Sequence, residues 1–174
     1  ASLGVDQTTA DQLRRDYWRD YGTTLAGLMR EHNVDPGPYL FDVHDIDLSH
    51  LNKDSALAAA IDTLPGRKIV YTNGTAPYAR QVLAARGLDQ VFEAVYGVEE
   101  ANFLPKPELE AFETIFALDG IQPRQAAMFE DEARNLQVPY SLGMQTIHVA
   151  PAPVTAPYLQ HHTNNLRQFL ELLV

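Results

Sequence analysis

The stretch that most constrains this chain is residues 67–75, RKIVYTNGT. The apolar run Ile69-Val70-Tyr71 stops abruptly at Thr72-Asn73-Gly74-Thr75, and a helical pattern follows. A short apolar run, a small polar turn and a helix describe a buried strand of an α/β sheet that delivers a hydroxyl at its carboxyl end. Two later stretches complement it: Leu104-Pro105-Lys106-Pro107-Glu108, and residues 128–135, MFEDEARN. Together the three supply a hydroxyl, an ammonium and a carboxylate pair, a set suited to phosphate and a divalent cation.

The rest of the chain alternates in the same way. Residues 8–32 predict helix, capped by Thr8 or Thr9 and interrupted at Tyr21-Gly22-Thr23-Thr24. Gly4 reads as the cap of a preceding helix. Asp35 to Pro38 reads as loop, residues 39–49 are ambiguous, and 55–64 predict a short helix with Leu57, Ile61 and Leu64 on one face. Strands are expected at 67–72, within 91–98, at 126–129 and at 145–149. Helices are expected at 77–86, at 107–118 with Pro107 in the first position, and at 163–173. Residues 132–137 read as a short helix or turn, and 151–153 as a linker. This order predicts an α/β fold with a parallel, doubly wound sheet.

With 174 residues the chain is one domain, or one domain with a small appendage. Its formal net charge of −10 argues against nucleic-acid and anionic-membrane partners but allows a small anionic substrate beside a cation and a lysine. There is no cysteine, hence no disulfide and no thiolate site. No run approaches the ~18 apolar residues of a membrane span. The opening ASLGVDQTTADQ has no basic region followed by an apolar core, so the expected location is cytoplasmic. Oligomeric state is left open. His161 and His162 read as solvated.

In an open parallel sheet, ligands bind beyond the carboxyl ends of the strands. Thr72, Glu130 and Asp131 fall at such ends, and Lys106 stands in a loop before a helix. Taken singly, Thr72 is a turn residue, Lys106 a loop lysine and Glu130-Asp131-Glu132 an acidic helix start. Taken together, in this order and on one rim, they form a site. Thr72 would donate to a phosphoryl oxygen, with Asn73 and Gly74 as further donors. Lys106 would supply a point charge. Glu130 and Asp131 would repel one another unless a cation sat between them, and oxygen-only donors fit Mg²⁺.

The ordered set Thr72-Asn73, Lys106-Pro107 and Glu130-Asp131 through Asn135 resembles the second, third and fourth motifs of the haloacid dehalogenase (HAD) superfamily. Lys106 lies 34 residues after Thr72, and Glu130 lies 24 after Lys106. Within that superfamily, YGTTLAGLMREHNVDP, VHDIDLS, LPGRKIVYTNGT and FEDEARNL resemble the pyrimidine 5′-nucleotidase branch. The resemblance implies a Rossmann-like core at 55–174 with a helical cap at 1–54, Mg²⁺, and hydrolysis of nucleoside monophosphates through an aspartyl-phosphate. The cap residues expected to meet substrate are Tyr21, Thr23, Thr24 and His44.

The first motif of that family, Asp-x-Asp-x-Thr at the end of the central strand, has no match in residues 1–20. The internal Asp45-Ile46-Asp47-Leu48-Ser49 has the carboxylate spacing. Asp42 and His44, however, would be costly in a buried central strand, and the resemblance puts this segment on the cap side. The expectation is a chain lacking the central first strand, the nucleophile and part of the cap. Such a chain would have a gap in its sheet, would be unstable or self-associating, and would be inactive. The alternatives are a non-catalytic HAD-like domain, and a phosphatase for another small phosphomonoester with Asp45 and Asp47 as its first motif.

Overall fold

The computed structural model describes residues 3–173. It opens with three helices. Helix α1, Gln7–Tyr21, is capped by Asp6, whose carboxylate accepts from the Thr9 amide at 2.8 Å. The sequence pointed to Thr8 or Thr9 as the cap; a carboxylate two residues earlier fills that role. Gly4 has the positive φ of a helix cap (68°), but the helix it was expected to close would fall on residues 1–2, outside the described residues. Helix α2, Thr24–His32, starts with the Thr23 hydroxyl on the Ala26 amide. Helix α3, Pro36–His44, corrects the loop expected at 35–38. Asp35 caps it, and Pro36 takes the first position, where a missing N–H costs nothing.

From α4, Ser55–Asp62, strands and helices alternate as expected. Strand β1 is Ile69–Tyr71, α5 is Ala76–Arg86, β2 is Ala94–Tyr96, α6 is Leu109–Asp119, and β3 is Ala127–Glu130. A 3-10 turn, Ala133–Leu136, leads into α7, Gln137–Ser141. Strand β4 is Gln145–Val149, β5 is His161–Thr163, and α8 is Leu166–Glu171. Helix α6 begins two residues later than expected, with Glu108 before it, and Pro107 stays in the loop after a cis peptide. Strand β5 was not expected, and it moves His161 and His162 from solvated loop into a sheet. Among the described residues no helix is long and apolar enough to cross a membrane.

All strand pairs are parallel, in two separate sheets. Strand β1 pairs with β2 in the register Tyr71 opposite Tyr96. Strands β3, β4 and β5 pair in that order, with Glu130 opposite His148 and Val149 opposite Thr163. No ladder joins β1 to β3. Side chains hold the two sheets together instead. On one face, Phe112 of α6 meets Tyr71 of β1 edge-on, at 5.6 Å and 87°, and shares a cluster with Met128 of β3. On the other, Ile61 of α4, Leu88 and Leu170 of α8 pack with Phe129. Residues 69–71 and 94–96 are only half-buried, although a central parallel strand is ordinarily covered on both faces.

Candidate phosphate-handling site

A cleft of about 310 Å³ opens at the carboxyl ends of β1 and β3, lined by Tyr71, Thr72, Lys106, Phe129, Glu130 and Asp131 among others. Four residues scattered over the sequence, Thr72, Lys106, Glu130 and Asp131, therefore meet on one rim.

Lys106 is the centre of it. It is 6% exposed, and its ammonium donates to the Tyr71 carbonyl at 3.1 Å and to Glu130 Oε2. It also lies 5.3 Å from the centroid of the Tyr71 ring. An ammonium has three donors, so one N–H is left for a ligand. The Lys106 backbone is set by Asn73. The Asn73 amide donates to the Lys106 carbonyl at 3.1 Å, and its oxygen accepts from the Lys106 N–H at 2.7 Å. The Asn73 side chain thus aims the lysine. The Gly74 amide is likewise occupied, donating to Thr72 Oγ1 at 3.0 Å. The Thr72 hydroxyl proton remains free to donate into the cleft.

The acidic pair does not act as two equal carboxylates. Glu130, 8% exposed, turns inward: Oε2 takes the Lys106 ammonium and Oε1 accepts from the Glu132 amide at 3.2 Å. Asp131 is exposed on the cleft. No group of three histidines or carboxylates able to hold a metal exists among the described residues. Of the pair, Asp131 is the carboxylate with an exposed side chain on the cleft, an oxygen donor of the kind a magnesium ion takes as one part of a larger set.

His148 and Tyr71 belong to this rim and escaped the sequence reading. His148, 3% exposed on β4, contacts the Asp131 carbonyl through Nε2 at 3.1 Å, while its Nδ1 is buried with no partner. An N–H at Nε2 donating to that carbonyl would steady the acidic turn. The available signal was a histidine inside the apolar run QTIHV, costly unless it has a task. Burial, with the Glu130 carboxylate adding to it, pushes the Tyr71 phenol above its ordinary value, so it stays neutral.

The amino-terminal residues expected to meet substrate are placed unevenly. Tyr21 donates to Glu31 and lies under Arg30, away from the cleft lining. Thr23 caps α2, and Thr24 reaches the Arg14 carbonyl at 3.4 Å. His44 alone comes to the loop after β1. Its ring stacks on Tyr78 at 4.3 Å and 8°, and Nδ1 is 3.1 Å from Thr75 Oγ1. Asp45 and Asp47 sit in an exposed turn after α3, where Asp47 accepts from the Ser49 amide and hydroxyl at 2.8 Å each. They are on no strand and line no part of the cleft.

Desolvation holds the His44 imidazole below its usual value, with Glu99 opposing. The unfolded chain, with an ordinary value of about 6.5, therefore binds the proton more readily. Stability is expected to fall as pH drops below that value, and His44→Gln to flatten this part of the dependence. Urea unfolding at a series of pH values between neutral and mildly acidic reads the difference.

This chain belongs to the haloacid dehalogenase-like hydrolase family, which matches residues 52–149. Phosphate metabolism protein 8 of Saccharomyces cerevisiae is 24% identical over 164 residues, covering 84% of this chain and 51% of that protein. The chain thus spans about half the length of this curated relative. The crystal structure of a HAD phosphatase from Thermococcus onnurineus superposes with a TM-score of 0.65 at 19% identity, covering 98% of this chain and 82% of the other. YfnB of Bacillus subtilis, crystallised bound to magnesium, gives 0.63 at 14% identity, covering 97% and 84%. At such identities the two structures speak for the fold.

Proposed function

We propose that this chain carries the phosphate-handling half of a phosphomonoester hydrolase, with nucleoside monophosphates, pyrimidine nucleotides foremost, as its substrates. The observation that carries the reading is the cleft between the unjoined strands β1 and β3, rimmed by Thr72, Lys106, Glu130 and Asp131. Thr72 would donate to one phosphoryl oxygen and the third N–H of Lys106 to another, which fixes the group by hydrogen bonds and a point charge. Glu130 would keep the ammonium pointed at the cleft. Asp131, with Glu130 behind it, would hold magnesium, which when bound supplies positive charge against the phosphoryl oxygens. Residues 1–54 would act as the cap, with His44 its closest approach to the Thr72–Thr75 loop.

An attacking carboxylate would stand on an extended segment seated between β1 and β3. The separation of those strands supports this, and so does the exposed turn that holds Asp45 and Asp47. The phosphate-binding part of the proposal needs no turnover to test. Orthophosphate with Mg²⁺ is expected to raise the unfolding midpoint of the chain, because a ligand that binds only the folded state stabilises it by mass action. Thr72→Val and Asp131→Asn should each abolish the rise while leaving the ligand-free midpoint nearly unchanged. An unaltered rise in both variants would place phosphate elsewhere.

A further inference from the structure

Arg134 links two parts of the molecule that lie far apart in sequence. It sits in the 3-10 turn that follows Glu130-Asp131-Glu132. Its guanidinium carbon is 3.9 Å from the centre of the Trp18 ring, and its two terminal nitrogens donate to the Arg19 carbonyl at 3.2 Å and the Gly22 carbonyl at 3.3 Å. These carbonyls end α1, where a helix presents partial negative charge and unpaired acceptors. The side chain is 24% exposed, and its buried Nε has no hydrogen bond but lies 3.7 Å from Glu132 Oε1, an ion pair within the acidic turn itself.

The other side of the same α1–α2 turn rests on the lysine loop. Gly22 has φ 83°, and a Cβ added there would meet the Lys106 carbonyl oxygen at 2.9 Å and Pro105 and Pro107 at 3.4 Å each. The turn at Tyr21–Thr23 therefore lies between Arg134, four residues after Glu130 in the chain, and the loop of Lys106, which pairs with Glu130.

We propose that Arg134 is a positioning residue that locks the α1–α2 turn to the acidic turn after β3, so that the amino-terminal helices and the Glu130–Asp131 rim move as one body. Arginine suits the task for a physical reason. One planar group stacks on an indole face and donates in a fork to two carbonyls, which an ammonium does not do. The coupling is a property of the fold and holds whether or not the rim hydrolyses phosphate, so its failure and that of the hydrolase reading are separate results.

The test is amide hydrogen exchange on the full chain, read by segment, with the fluorescence of Trp18 as a second signal, since it is the only tryptophan. Trp18→Leu alters the helix side alone, yet is expected to speed exchange in 131–136 about tenfold. Arg134→Gln should do the same at 19–23 and at 131–136, and should expose Trp18 to acrylamide. Arg134→Lys should fall between it and the wild type. Exchange in 145–149 and 161–163 should not change. The proposal is overturned if Trp18→Leu loosens α1 and leaves 131–136 as it was, or if exchange rises evenly over all strands.

Discussion

Replacing Lys106 by methionine is expected to destabilise the chain by about 3–5 kcal/mol, the cost of leaving a buried charge without its partner. The two side chains of the Lys106–Glu130 pair are 7% and 6% exposed. Glu130 would keep the Glu132 amide but lose the ammonium, in a place where water reaches it poorly. Lys106 also anchors the Tyr71 carbonyl, an acceptor that would lose this donor. The double variant Lys106→Met, Glu130→Leu should recover most of the loss, because no charge is then left to desolvate. Urea midpoints of the two single variants and the double variant close the cycle. Equal losses that simply add would show that the pair is not coupled, and that the rim is wetter than its burial implies.

A comparable loss, about 3–5 kcal/mol, is expected for Phe112→Ala. Phe112 is fully buried on α6. It packs on Tyr71 of β1 and on Phe116, in the cluster that includes Met128 of β3 and Met144. In a continuous sheet, backbone hydrogen bonds would join β1 to β3. Here the two sheets are separate, so the ring of one helix residue takes over part of that work. Truncation should therefore loosen the sheets from each other as well as leave a cavity. Leu118→Ala on the same helix, where the side chain is 57% exposed, should change stability by less than about 0.5 kcal/mol. Denaturant unfolding of both variants decides the matter, and a Phe112→Ala loss as small as that of Leu118→Ala would contradict the bridging role.

The fold was largely legible because its strands are short apolar runs closed by glycine, proline or small polar residues. β1, β2, β3 and β4 fall within the expected stretches or one residue beyond them. β5 was missed because His161-His162-Thr163 carries no strand pattern. It forms because its neighbours are tied to β4: the Thr146 hydroxyl donates to the Tyr158 carbonyl at 2.7 Å, and the Gln160 side chain accepts from the Thr146 amide at 2.9 Å. Pro36-Gly37-Pro38 looked like loop because both residue types break helices, yet proline in a first turn does not.

The rim was legible for a different reason. Thr72, Lys106, Glu130 and Asp131 are polar residues where parallel strands stop or where a loop begins, and topology alone brings such ends together. What each side chain does there was not legible. Nothing in the order Glu130-Asp131 says that the first turns in to a lysine and the second faces the cleft. Asn73, next to the key threonine, reads as a phosphate donor, and nothing in its place in the sequence says that its side chain grips the Lys106 backbone. Arg134 and Gly22 gain their meaning only from contacts across more than a hundred residues of chain.

On the reading proposed above, an attacking carboxylate would stand between β1 and β3, and Asp45 and Asp47, which line no part of the cleft, would not supply it. Phosphate release from a panel of nucleoside monophosphates with Mg²⁺ tests it most directly. The samples are the 174-residue chain, its Asp45→Asn form, and a longer polypeptide carrying an Asp-x-Asp-x-Thr strand ahead of residue 1. The account predicts no turnover by the first two, and turnover by the third that is lost when the first aspartate of the added strand becomes asparagine. Turnover by the 174-residue chain that Asp45→Asn abolishes would contradict it, and would make the exposed turn after α3 the source of the nucleophile.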